Sequence, residues 1–166
     1  TRGDLASTGS LLLDARAAER FEGTAPAGPG TLDPRAGHIP GAVNAPWMSV
    51  MSPQSGRLRP IDELRSHFAD LGVADADDVI ASCGSGVSAC VDILAIEHAG
   101  FATPRLYVPS WSGWASNPNR AIEVGPVSPN IARLRSGSQR HRWRAVHDLR
   151  AARRRRRLAD LEWFEA

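Results

Sequence analysis

Cys83 stands just past an apolar run, Val79-Ile80-Ala81, and is followed by Gly84, Ser85, Gly86, Val87 and Ser88. A cysteine in that setting could act as a nucleophile. The working form is the thiolate, and its pKa falls where positive charge or N–H groups converge. A turn of small residues lets successive backbone N–H groups point at one centre, making an anion-binding nest. The free N–H groups of a following helix add partial positive charge. Ser82, Ser85 and Ser88 offer hydroxyl donors, and Gly84 and Gly86 are expected to supply backbone angles that other residues avoid. The residues alone leave a second reading open, since cysteine is among the side chains most often buried in a core. Cys90 is expected to be such a case, facing the core from within a helix.

Two other chemistries that use loops of this kind are excluded. A tyrosine-phosphatase loop has Cys, five residues and then Arg; position 89 is Ala, so no guanidinium can clamp a phosphoryl group there. A nucleotide-binding P-loop needs Gly-Lys-Ser/Thr, and the chain has no Lys, all twenty basic residues being Arg. Cys83 and Cys90 on one helix would lie about two turns apart, too far for a disulfide. Such sparse cysteine usage suits a reducing compartment. The first ten residues carry no signal-peptide pattern, and no apolar run approaches the roughly 18 residues of a membrane span. A cytoplasmic protein is expected. The chain opens on Thr1, which suggests a segment of a longer product.

The elements that must position Cys83 follow from periodicity. Residues 11–13 read as a buried strand ending at Asp14, and residues 43–45 as a second short strand. "IDELRSHFADL" (61–71) places Ile61, Leu64, Phe68 and Leu71 at helical spacing, with Gly72 as a stop. Residues 79–81 form the next strand, residues from about 85 to 98 a helix ended by Gly100, and residues 106–108 another strand. Strands alternating with helices predict an α/β fold, a largely parallel sheet with helices on its faces. Sites in such folds lie at the carboxyl ends of the strands, where Cys83 falls.

Charge divides the 166 residues. Residues 1–125 hold nine Arg against fourteen acidic residues, a net of −5; residues 126–166 hold eleven Arg against four, a net of +7. Gly125-Pro126 and Ser128-Pro129 mark the boundary. The expected organisation is a linker remnant at 1–10, one domain at 11–125, and an Arg-rich tail at 126–166, helical or disordered. The run Arg153 to Arg157 could touch an acidic surface, but no base-reading pattern accompanies it and nucleic-acid binding is not expected.

Four segments in order carry a resemblance. "LLLDARAAERFEG" (11–23), "DPRAGHIPGAVNAP" (33–46), "CGSGVSAC" (83–90) and "LYVPSWSGWASNP" (106–118) resemble the rhodanese superfamily, and in particular the C-terminal, catalytic domain of two-domain sulfurtransferases. The resemblance implies a rhodanese-like three-layer fold and no metal or cofactor. It also implies an activity in which Cys83 takes a sulfane sulfur as a persulfide and passes it to a thiol such as thioredoxin, or to cyanide. Gly84, Ser85, Gly86, Val87 and Ser88 would form the cradle. The Cys-Gly-Ser-Gly-Val loop is similar to that of 3-mercaptopyruvate sulfurtransferases, although thiosulfate is a donor for relatives that share it.

Mercaptopyruvate carries a carboxylate, so a pair of cations is expected. Arg20 aligns with one substrate-binding Arg of the family, and Arg35 is the candidate for the second. Arg16 and His38 are expected to be structural. Ser88 stands where Thr is usual, Gly113 replaces a commonly acidic residue, and Val108-Pro109 replaces a Gly-containing turn. The resemblance implies a site between two domains, of which the N-terminal one is expected to be missing here. An alternative expectation is therefore a non-catalytic rhodanese-like binding module or an inactive fragment.

Overall fold

The computed structural model of the chain describes residues 10–75 and 78–126. The Arg-rich tail and nearly all of the linker remnant lie outside the described residues. Four strands form one sheet: β1 (Leu11–Asp14), β2 (Val43–Asn44), β3 (Val79–Ser82) and β4 (Arg105–Leu106), in the order β2-β1-β3-β4 and all parallel. β1 and β3 run side by side in full register, from Leu11 opposite Val79 to Asp14 opposite Ser82, and every residue of both is buried. Apolar side chains at consecutive positions are what a strand covered on both faces requires.

Alternation along β1 divides the core into layers. Leu11, Leu13 and Val79 point to one face, where Val50, Leu64, Phe68 and Ile96 cover them. Those partners come from the 3-10 helix Trp47–Val50, from α2 (Ile61–Asp70) and from α3 (Ala89–His98). Leu12 and Ile80 point to the other face, against Phe21, Ile39 and Trp111, which brings in α1 (Ala18–Glu22) and α4 (Ser110–Ala115). The three-layer α/β arrangement expected from the sequence is the one observed.

α2 follows its sequence pattern closely. Asp62 and Glu63 occupy its first turn, where negative charge favours the helix dipole. Leu64 and Phe68 form its buried stripe, and Gly72 ends it at φ 93°. Three local expectations are corrected. α3 begins at Ala89 and not near residue 85, because Gly86 adopts φ 94°, outside helical space. β4 covers Arg105–Leu106 and not 106–108; Tyr107 still donates its N–H to the Ala81 carbonyl, and the chain then turns at Pro109. Cys90 is exposed rather than buried, because α3 presents Ala89, Asp92, Ala95 and Ile96 inward. Among the described residues, no helix is long and apolar enough to cross a membrane.

Candidate active site

β2 lies on one side of β1 and β3 on the other. The winding direction therefore changes between β1 and β3, and such a switch opens a crevice at the carboxyl ends of the strands. β1 delivers Asp14, Ala15 and Arg16 to that edge, and β3 delivers Ser82 and Cys83.

Cys83 is 1% exposed, and donors surround its sulfur. The Gly86 N–H lies 3.0 Å from Sγ, and the Ser88 hydroxyl and the N–H groups of Ala89 and Ser85 lie near enough to favour its negative charge. Burial pushes the thiol up, and these four donors more than offset it, leaving Cys83 below the ordinary thiol value. The two loop glycines serve different ends. Gly86 is required for its angle, φ 94°, as expected. Gly84 has no such angle and is required for space: Arg20 Nη2 lies 2.9 Å from where its Cβ would sit. Val87, 76% exposed, stands at the rim, and Ser85 is exposed beside it. The Cys90 thiol donates to the Gly86 carbonyl at 3.3 Å, so the two cysteines contact opposite ends of one residue. Neither is in a disulfide.

A segment from the fourth strand fixes the loop. The Trp111 and Ser112 N–H groups donate to the carbonyls of Cys83 and Gly84, each at 2.9 Å. The Cys83 N–H donates to Ser110 Oγ at 3.2 Å, and that hydroxyl donates to the Tyr107 carbonyl at 2.9 Å. Ser110 sits at φ 49°, the one left-handed non-glycine among the described residues. Such a conformation is uncommon without glycine and here aims its hydroxyl at the Cys83 backbone. A Cβ on Gly113 would lie 2.6 Å from Pro109 Cβ. The proline ring holds the space that a larger residue at 113 would use.

Buried charge organises the opposite wall. Arg16, with a side chain 0% exposed, forks onto Asp14 through Nε and Nη2 at 2.7–3.1 Å and reaches Asp33 at 3.5 Å. Its guanidinium lies 4.8 Å from the Trp111 ring centroid. Asp33 in turn binds Arg20 bidentately, both contacts at 2.7 Å. That contact comes first in holding the Arg20 cation above its ordinary range, and the charges of Asp14 and Cys83 add to it. The structure thus brings Arg20 to Gly84, one residue from Cys83. The guanidinium of Arg35 lies against the Arg120 carbonyl at 3.4 Å, while the Arg35 carbonyl accepts from Trp111 Nε1 at 3.0 Å. His38 is buried, its ring stacked at 3.7 Å on Phe21 and its Nδ1 2.8 Å from the Phe21 carbonyl.

Sequence reasoning missed Asp33, Asp14, Asp92 and Ser110. Asp14 carried a signal, since it lies two residues before Arg16, the cation it binds, whereas Asp33 binds Arg20, 13 positions earlier, which no local spacing announces. Ser110 and Asp92 carried none that spacing could distinguish from ordinary surface polarity.

A family model described as the rhodanese-like domain matches residues 2–117. The chain belongs to the rhodanese-like family. A protein of Pseudomonas aeruginosa strain PAO1, named "Probable 3-mercaptopyruvate sulfurtransferase", is 42% identical to this rhodanese-like chain over 125 residues, 75% of the chain and 42% of that protein. The 3-mercaptopyruvate sulfurtransferase of Escherichia coli K12 is 38% identical over 112 residues, 68% of the chain and 38% of that protein. Among solved structures, 3-mercaptopyruvate sulfurtransferase from Leishmania major is similar with a TM-score of 0.56 at 36% identity, over 64% of this chain and 30% of that one. The chain spans about two fifths of the length of the curated relatives it matches.

Proposed function

We propose that this rhodanese-like domain is a sulfurtransferase with Cys83 as its nucleophile. The Gly86 N–H at 3.0 Å from the Cys83 sulfur carries the reading, with the Ser88 hydroxyl and the neighbouring N–H groups lowering the thiol beside it, because such a setting stabilises a thiolate and, equally, a persulfide anion. In the first half-reaction the Cys83 thiolate attacks the outer sulfur of thiosulfate or the thiol sulfur of mercaptopyruvate. A new S–S bond forms, and the donor's bond to that sulfur breaks with its electron pair leaving as sulfite from thiosulfate, or as the enolate of pyruvate from mercaptopyruvate, which then takes a proton. In the second, a thiolate or cyanide attacks the outer sulfur and the Cys83 thiolate returns. Gly84, Ser85, Gly86, Val87 and Ser88 form the cradle around the transferred atom.

Arg20 is the cation for the donor's negative group, since its guanidinium already overlies Gly84. Arg35, whose guanidinium lies against the Arg120 carbonyl, is the candidate for the second cation. A 3-mercaptopyruvate donor fits two arginines and a loop with no charged side chain, and the names of the relatives favour it. The acceptor is a small thiol or a thioredoxin-like protein, or cyanide. A cytoplasmic, reducing setting agrees with two free cysteines. The greater length of the relatives is consistent with a site completed by a further domain.

The test is thiocyanate formation from mercaptopyruvate or thiosulfate plus cyanide, with the intermediate read as a mass increase of one sulfur atom on Cys83. Equal turnover by Cys83→Ser would overturn the reading. The burial of Cys83 favours one alternative, a non-catalytic binding module. Titration showing a Cys83 thiol inert at neutral pH would decide for it.

A further inference from the structure

Asp92 occupies a position that its helix otherwise gives to apolar residues. The buried residues of α3 are Ala89, Asp92, Ala95 and Ile96, spaced by threes and fours along one helical face. The Asp92 residue has no exposed surface, and neither carboxyl oxygen has a hydrogen-bond partner. An ionised carboxylate so placed would be an uncompensated buried charge, whereas the neutral acid is far cheaper to hold. Ala89, one turn earlier on the same face, packs in one buried cluster with Cys83. Helical side chains lean toward the N-terminus, so the Asp92 carboxyl underlies the turn that cradles the sulfur.

The charged groups around it are few. Cys83 and Asp14 each oppose a negative charge on Asp92, and Arg16 is already committed to Asp14. Of the other elements packed on α3, β3 and the 3-10 helix carry no ionisable side chain. β4 carries Arg105, which pairs with Asp78 at the surface. α2 carries Asp62, Glu63, Arg65, His67 and Asp70, of which Arg65 bonds the Ala99 carbonyl at the far end of α3. Burial first, and then the charges of Cys83 and Asp14, push the Asp92 carboxyl up to about 8.

We propose that Asp92 is a positioning residue that shares one negative charge with Cys83: the thiolate forms while the carboxyl keeps its proton, and sulfur loading eases ionisation of the carboxyl. Loading moves the anionic charge from Sγ to the outer sulfur, one S–S bond of about 2 Å further along the side chain. The repulsion felt at Asp92 falls accordingly. No proton passes from Asp92 to the donor or acceptor; it exchanges with solvent. The inference rests on the reading of Cys83 as the sulfur-carrying nucleophile.

The experiment is the pH dependence of Cys83 carbamidomethylation, followed on the Cys83 peptide by mass spectrometry so that reaction at Cys90 is separated. The wild type is expected to show two inflections, the upper near pH 8. Asp92→Asn should show one, with the upper inflection lost and the Cys83 ionisation nearly unmoved, because the carboxyl it replaces is neutral when the thiolate forms. Superimposable profiles would overturn the proposal. A second measurement needs no variant: infrared titration of the Asp92 carboxylic acid before and after Cys83 is blocked as its neutral adduct. The ionisation should move to lower pH on blocking, and an unmoved titration would overturn charge sharing even if the variant failed to fold. Neither readout depends on turnover. Thiocyanate formation surviving Cys83→Ser would therefore count against the sulfurtransferase reading alone.

Discussion

The guanidinium of Arg20 fills the space that a side chain on Gly84 would need, its Nη2 2.9 Å from the position of an added Cβ. Arg20 cannot simply swing aside, because Asp33 holds it bidentately at 2.7 Å. The first residue after the nucleophile and the proposed donor-binding cation are thus sterically coupled. Gly84→Ala should raise KM for an anionic donor by about three- to tenfold, while stability changes by less than about 1 kcal/mol. Steady-state kinetics with mercaptopyruvate and thiosulfate, beside a thermal melt, check both halves.

Arg16 and Arg20 lie four residues apart and should answer differently to the same change. Arg16→Met leaves Asp14 buried without its cation and should cost about 3–5 kcal/mol, seen as a lowered urea midpoint. The Arg20 side chain is 27% exposed. Arg20→Met should lower the midpoint less than Arg16→Met, because buried Asp33 keeps Arg16 at 3.5 Å, while donor KM rises, measured on the same preparations.

Ser88 supplies the donor that most strongly counters burial in lowering the Cys83 thiol. A hydrogen bond to a charged group contributes about 1.5–3 kcal/mol, equivalent to roughly one to two pKa units. Ser88→Ala should move the Cys83 alkylation midpoint up by about one unit and slow alkylation at pH 7 several-fold. Ser88→Thr, which keeps the hydroxyl, should restore the wild-type profile.

Asp92 makes stability depend on pH. Its carboxyl ionises near the ordinary 3.8 in the unfolded chain and at about 8 in the folded one. Between those values the folded state binds the extra proton, so its contribution to stability falls as pH rises through that window and levels off above it. Asp92→Asn should flatten this slope and raise stability at pH 7 by roughly 2 kcal/mol or more. Urea unfolding at pH 5, 7 and 9 reads the effect.

Much of the fold was legible because its signals are local. Leu11, Leu12 and Leu13 in succession announce a strand covered on both faces, and the spacing of Leu64 and Phe68 before Gly72 announces α2. The turn around Cys83 was legible for the same reason, since small residues after a buried strand suit a nest. What local pattern could not supply was long-range geometry. Gly84 was expected to serve the backbone, but the constraint comes from Arg20, 64 positions earlier. The apolar surroundings of Cys90 suggested burial, yet the rotation of α3 is set by Ala89, Asp92, Ala95 and Ile96. Ser110 could not be read at all, because its role depends on a conformation serine seldom adopts.

The hydroxyl of Ser110 and the backbone of Trp111 and Ser112 reach Cys83 and Gly84 from 27 or more positions later in the chain. During synthesis, then, the cysteine leaves the ribosome well before the residues that hold its loop in shape. The nascent chain carries a thiol of unspecified geometry until that later segment emerges and docks. Assembly order thus separates the making of the sulfur from the making of its site, and a chain that stopped before Ser110 would contain the first without the second.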